Sequence, residues 1–333
     1  MTPSPAHMPV ATEPIDIVYT WVDDRYPGYL DLLRQHARHP RDSDPSRTRD
    51  NLDTLRYSLR SIERFAPWVN RIHILTCRPQ VPAWLNTAHP RISVVHHDEV
   101  MPAEALPTFN SLAITSHLHL VPGVSRRFIY FEDDMVLVAP LALTDFLDGG
   151  GRPLVFEERS IAPRTEDIAD PERSGGWNLA LAASNVLLDV KYGTSRRRQV
   201  GHSPLLIDKA RWQETLDFFP AARDLTVNSR FRTAGNFAPE FLYNQCLLAE
   251  GQATLVPHRK ARRTAGYIPL EDAWPVTLAF LAMAHVMKPK WLTFNDNFGP
   301  NPNRMTLAMV RRLLHHILPT ASDFERPLAS ASA

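Results

Sequence analysis

Cysteine is almost missing from this 333-residue chain: Cys77 and Cys246 stand alone and far apart. That excludes a disulfide-stapled scaffold and a cysteine-built metal site, and it suits a reducing compartment. Glycine is scarce at 13 residues. No P-loop, GxGxxG or GxSxG pattern occurs, so the usual nucleotide-binding and serine-hydrolase fingerprints are missing. Long apolar runs are missing as well. The longest, Trp274 to Met287, contains Pro275, Thr277 and His285 and falls short of the roughly 20 residues that span a bilayer. The opening MTPSPAHMPVATEP has neither a basic start nor an apolar core, unlike a secretory signal. A soluble, cytoplasmic chain is expected. Net charge is nearly absent: 37 Lys and Arg meet 36 Asp and Glu, a formal +1. A surface that held nucleic acid by bulk charge would be clearly basic, so no nucleic-acid partner is expected. Only five of the 37 cations are Lys. Arg is the better fork for phosphate, although codon bias alone can produce the same excess.

What is present alternates between strand and helix. Residues 15–22 (IDIVYTWV) are a β-branched and aromatic run, the mark of a buried strand, and end in Asp23 and Asp24. A short helix is expected over 29–38 and a polar loop over 39–49. From Asn51 to Phe65, Leu52, Leu55, Leu59, Ile62 and Phe65 recur at helical spacing before Pro67 stops the run. Strands are expected at 71–77, 92–96 and 127–132, with a helix at 108–120. This order predicts an α/β fold with a mostly parallel sheet. Beyond Gly149 the pattern turns helical, at 176–191, 208–219, 239–250, 274–287 and 304–318. The triple glycine 149–151 and the polar run to Arg173 suggest a hinge or active-site loop. The expected organisation is a disordered 1–13, one α/β catalytic domain over 14–320 and a flexible tail over 321–333. Within the domain, 14–148 forms a sheet-rich nucleotide and metal half and 149–320 a helix-rich half.

Two predicted strands end in paired acids, Asp23-Asp24 and, after Glu132, Asp133-Asp134. Carboxylates at a strand's carboxyl end suit Mg²⁺ or Mn²⁺, which bridge to a substrate phosphate; such acids also cap turns and face water. Asp50 and Asp53 open the 51–65 helix at the spacing of a capping box. Arg56, Arg60 and Arg64 line one face of it, either as a solvated stripe or as a phosphate cradle. His202 lies in a turn, GHSP, where an imidazole can serve as a general base. Asn295, Asp296 and Asn297 lie in an expected loop before the last helix, where Asx residues make turns.

Four segments in order carry a resemblance: IDIVYTWVDD (15–24); RDNLDTLRYSLRSIERFAPWVNRIHILT through VPAWLN and ISVVHHDEV to FIYFEDDMVL (49–138); GHSPLLIDKARWQETLDFFP with FRTAGNFAPEFLYNQ (201–245); and WLTFNDNFGPNP (291–302). The chain resembles the Stealth family, which contains capsular polysaccharide phosphotransferases and the catalytic subunit of the lysosomal N-acetylglucosamine-1-phosphotransferase. The resemblance implies a sheet similar to that of GT-A glycosyltransferases, a need for Mg²⁺ or Mn²⁺, and transfer of hexose-1-phosphate or N-acetylhexosamine-1-phosphate from a UDP-sugar to a saccharide hydroxyl, with release of UMP. Position by position, it puts a catalytic acid on Asp50, with Asp53 as the alternative match. It puts the metal pair on Asp133 and Asp134, with Glu132 where the family varies. The block-opening histidine falls on His202, as base or as nucleophile, and a phosphate-binding arginine on Arg232. Asp23, Asp53, Arg56, Arg60, Asn295, Asp296 and Asn297 are the expected substrate-binding positions. Beyond Arg232 the chain departs from the pattern of the human lysosomal enzyme, and Asn236 and Glu240 match no role there. A place at the inner face of the plasma membrane, where capsule is assembled, is implied in the same way. Two rival readings stand: a glycosyltransferase that releases UDP, and a non-catalytic sugar-nucleotide binding module.

Overall fold

The computed structural model describes residues 13–43, 48–49 and 52–327. Strands β1 (Ile15–Thr20), β2 (Ile72–Thr76), β3 (Ile92–His96) and β4 (Arg127–Glu132) run parallel, and β8 (Leu205–Asp208) lies antiparallel to β4. The order across this sheet is β3-β2-β1-β4-β8. Strands covered on both faces read as continuous apolar runs, which is why these segments were legible. Alternate residues feed alternate faces. Ile17, Tyr19 and Phe131 meet Leu55, Leu59 and Ile62 of a long helix on one side, while Val18, Phe128 and Tyr130 meet Leu181, Trp212 and Phe241 on the other.

The helices are α1 (Tyr29–His36), α2 (Thr54–Phe65), α3 (Ser111–Thr115), α4 (Gly176–Tyr192), α5 (Lys209–Asp217), α6 (Pro220–Asn228), α7 (Pro239–Ala249), α8 (His258–Ala261), α9 (Trp274–Met287) and α10 (Arg304–Ile317). The expected 108–120 helix shrinks to the single short α3, because His117 to Val121 continue as a separate 3₁₀ turn.

Two smaller sheets complete the fold. β5 (Met135–Leu137) pairs antiparallel with β11 (Trp291–Asp296), which pairs parallel with β10 (Ala265–Leu270). β6 (Leu154–Ile161) lies between β7 (Arg198–Val200) and β9 (Thr254–Val256). The chain beyond residue 149 is therefore not simply a helix-rich half: it supplies β6 through β11, and β8 and β11 complete sheets begun by the first half. The expected hinge at the triple glycine is a tight turn. The Asp148 side chain accepts from the amides of Gly150 (2.8 Å) and Arg152 (2.9 Å), and the chain then enters β6.

One buried acid organises the amino end of the main sheet. Asp16, in β1, is fully buried and accepts from Asn70 Nδ2 (2.8 Å), the Arg71 amide (3.0 Å) and the Ser125 amide (2.7 Å), with His73 Nε2 at 3.4 Å. It ties β1 to the segments that enter β2 and β4.

The end of the chain is also anchored. Residues 321–327, expected in a flexible tail, return to α2. Phe324 and Glu325 are buried, and the Glu325 carboxylate receives Arg56 Nε and the Arg60 guanidinium (2.6 and 2.9 Å).

Candidate active site

The carboxyl ends of β1 and β4 open into a cavity of about 890 Å³, walled also by β6, the segment after β7, the start of α7 and the end of β11. Open α/β sheets gather ligands at this edge. Glu132 is the last residue of β4, and only Asp133 and Asp134 separate it from β5. Asp133 and Asp134 form a turn between the two strands, and that turn leaves Glu132 and Asp134 on the same side. His202 joins them from the segment after β7, its backbone carbonyl accepting from Thr293 Oγ1 of β11 at 2.8 Å. His202 Nε2 lies 3.0 Å from Glu132 and 3.9 Å from Asp134, and one donor atom from each of the three residues falls within 4.8 Å of the others. The cluster thus uses Glu132 with Asp134, where Asp133 had been expected; Asp133 also lines the cavity.

The charges in this cluster are strongly coupled. Burial and the neighbouring Glu132 push the Asp134 carboxyl up to about 7. Burial works against a charged His202, but Glu132 and Asp134 outweigh it and raise the imidazole to about 10. Glu132 shows the converse: burial opposes its ionisation, yet His202 and Arg232 hold it below its ordinary value. Glu240, at the start of α7, joins the same field. Burial and then Glu132 push it up to about 7, and its Oε2 is buried without a hydrogen-bond partner.

Arg232 lines the cavity and donates through Nη2 to Ser111 Oγ at the start of α3. Its position is built by a buried amide pair. Asn110 caps α3 and donates to Thr226 O, Ser229 O and Asn236 Oδ1 (3.3, 3.0 and 3.0 Å), and Asn236 Oδ1 also accepts from the Thr233 amide at 2.9 Å. The adjoining Phe231 stacks on Phe109 at 5.1 Å. Asn236, without a sequence-based role, therefore shapes the loop that presents Arg232.

The donor set fits a divalent cation. Two carboxylates and an imidazole converge, and Asp134 Oδ1 is buried with no hydrogen-bond partner. An acid held near neutral pH by burial beside another acid is one that a cation returns to its anionic form.

The profile described as Stealth protein CR2, conserved region 2, matches residues 47–154. An exopolysaccharide phosphotransferase of Streptomyces coelicolor is 37% identical over 247 residues, 72% of this chain and 41% of that one. The exopolysaccharide phosphotransferase CpsY of Mycobacterium tuberculosis is 33% identical over 254 residues, 74% of this chain and 46% of that one. The chain belongs to the Stealth family. It spans less than half the length of these curated Stealth relatives. Among solved structures, galactosyltransferase LgtC in complex with donor and acceptor sugar analogs aligns over 93% of this chain and 98% of its own, at 15% identity and a TM-score of 0.46.

The remaining positions singled out by the Stealth resemblance divide. Asn295, Asp296 and Asn297 line the cavity, but the first two end β11 and do not form a loop. Asp296 is committed to Arg49, which grips it with Nε (2.6 Å) and Nη2 (2.7 Å). Asn297 Oδ1 accepts from Asn295 Nδ2, and its own amide donates to Glu271 (3.0 Å). Asp23 and Asp53 fall outside the cavity lining. Arg25 takes Asp23 in a bidentate pair and reaches Asp53 at 3.3 Å. Asp53 is left-handed at φ 54° and makes no side-chain cap, so the capping-box reading fails. Asp50 lies outside the described residues. Arg56 and Arg60 are corrected: neither lines the cavity, because Glu325 engages both. Glu132, Glu240 and Arg49 were missed as site residues. The two-residue spacing of Glu132 and Asp134 was the available signal for the first. Glu240 follows Pro239 in the first turn of a helix, where an acid ordinarily just complements the dipole.

Proposed function

We propose that this chain transfers hexose-1-phosphate or N-acetylhexosamine-1-phosphate from a UDP-sugar to a saccharide hydroxyl, forming a phosphodiester and releasing UMP, in the synthesis of a surface polysaccharide. The observation that carries the reading is the convergence of Glu132, Asp134 and His202 in a cavity that also contains Arg232, in a chain akin to exopolysaccharide phosphotransferases. Phosphoryl transfer asks for charge neutralisation and alignment more than for covalent chemistry. Mg²⁺ or Mn²⁺ held by Glu132 and Asp134 would neutralise diphosphate charge and stabilise the departing UMP.

The protein's own groups do the rest. Arg232 offers paired N–H donors to the non-bridging oxygens of the transferred phosphate, and the Asn110–Asn236 pair keeps it there. Glu132 faces Nε2 of His202, so Nδ1 is the ring nitrogen available to the acceptor. Glu132 and Asp134 keep His202 protonated at neutral pH. With their field neutralised by a cation, the imidazole is freed either to take the acceptor's hydroxyl proton or to attack phosphorus as UMP departs. Arg49, by holding Asp296, fixes the end of β11 as a wall for the donor.

The test is a screen of UDP-sugars with oligosaccharide acceptors, reading UMP against UDP and the phosphodiester signal in phosphorus NMR. UMP with a phosphodiester supports the transfer; UDP without one makes the chain a glycosyltransferase; nucleotide binding without turnover makes it a binding module. His202→Ala and Arg232→Ala should each cost at least about a hundredfold in turnover while the protein stays folded. Activity that survives thorough chelation would remove the cation from the reaction.

A further inference from the structure

Helix α9 (WPVTLAFLAMAHVM) is apolar all round. Such a helix is ordinarily buried, in a large core or in lipid. Here only Thr277 is buried. Phe280, Leu281 and Ala284 pack inward against the core beneath α10, while Trp274, Val276, Leu278, Met283 and Val286 are exposed, Val286 at 76%. Exposed apolar patches of this kind mark interaction surfaces. At 14 residues the helix is about 21 Å long, against about 30 Å for a bilayer's hydrocarbon core, so it is built to lie on a surface rather than to cross it.

Charge identifies the surface. From His258 to Leu318 the chain has nine Lys and Arg and three acids, an excess of six in a protein whose total is +1. The three acids are each held in local hydrogen bonds, Asp272 at the surface. Glu271 accepts from Asn297, Asp272 from the Gly299 and Asn303 amides, and Asp296 from Arg49. Apart from Lys290, which pairs with Asp145, cations flank α9 along the chain and on α10, which packs against it. Arg262 touches Met283, Arg263 follows it, Lys288 caps the helix, and α10 exposes Arg304, Arg311 and Arg312.

We infer that α9 and its basic surround seat this protein on an anionic lipid bilayer, with the apolar face at the acyl boundary and the cations among the headgroups. Apolar burial and headgroup attraction act together in such monotopic contacts. The inference is independent of the reaction proposed above, and its readout is vesicle binding rather than turnover.

The full chain should float with phosphatidylcholine vesicles that contain about 30% phosphatidylglycerol, at least about tenfold better than with phosphatidylcholine alone. Leu278→Glu with Val286→Glu, both at exposed positions, should abolish flotation. Arg263→Glu with Lys288→Glu should weaken it about tenfold. Brominated lipid should quench a fluorescence component that Trp274→Phe removes. Absence of flotation, or flotation indifferent to the α9 pair, overturns the inference. So does a dimer in light scattering that the α9 pair converts to monomer without any vesicle binding, which would assign α9 to a second copy.

Discussion

Asp16 and Asp134 sit at opposite ends of the main sheet's two central strands. Both are carboxylates among apolar side chains, and the structure treats them oppositely. Around Asp16, burial alone would favour the neutral acid, but donors from His73, Asn70 and Ser125 outweigh it and hold the group far below the usual carboxylate range. Around Asp134 the neighbours are another acid and a histidine, one oxygen has no hydrogen-bond partner, and the group rises to about 7. A buried acid with its donors supplied is part of the scaffold. A buried acid left short of them, beside further acids, is waiting for a ligand.

The largest expected effect tests the open end. Asp134→Asn or Glu132→Gln should cut turnover by about a hundredfold or more and weaken Mn²⁺ affinity, read by calorimetry, by at least about tenfold. The thermal midpoint of Asp134→Asn should hold or rise, because a buried acid raised above its ordinary value is relieved, whereas Glu132→Gln takes the partner from His202 and should lower it. A drop for Asp134→Asn would erase the contrast with Asp16. Next comes the satisfied clasp at the chain's end: Glu325→Ala leaves Arg60 without its buried partner and should cost about 3 kcal/mol in urea unfolding, with Mn²⁺ affinity intact.

Asp16→Asn should cost about 2 kcal/mol, again without touching Mn²⁺ affinity. It also predicts a pH signature. A folded-state pKa below the unfolded one gives stability that is complete above the unfolded value, near 4, and is lost as pH falls toward the folded value. The wild-type acid limb should therefore be steeper below about pH 4 than that of Asp16→Asn, and parallel limbs would show that Asp16 is not the group titrating. The smallest effect belongs to the rim. Arg25→Ala removes an exposed pair with Asp23 and should change stability by no more than about 0.5 kcal/mol.

How much of this was legible in the sequence follows from which forces are local. β1 to β4 and α2 could be read because covered strands and amphipathic helices write their periodicity into consecutive residues. β5, β7 and β9 have three residues each, too few for a period, and they exist because a partner strand from elsewhere in the chain completes them. Asn295 and Asp296 suggested a turn by composition, and pairing of β11 with β10 overrode it. His202, Arg232 and Asp134, singled out through ordered motifs, line one cavity. Glu132 was passed over because two acids after it looked like the pair. The role of Arg56 and Arg60 was invisible: their partner, Glu325, lies more than 260 residues away.

The two-residue link between β4 and β5 has a mechanical consequence. Asp133 and Asp134 are the seam between the main sheet and the β5-β11-β10 sheet, and His202 is fastened to the latter through Thr293. Anything that draws Glu132, Asp134 and His202 together rivets one sheet to the other. Occupancy of a few cubic ångströms is thereby felt as stiffness across the molecule, and amide exchange in Met135–Leu137 and Trp291–Thr293 is where that stiffness would be read.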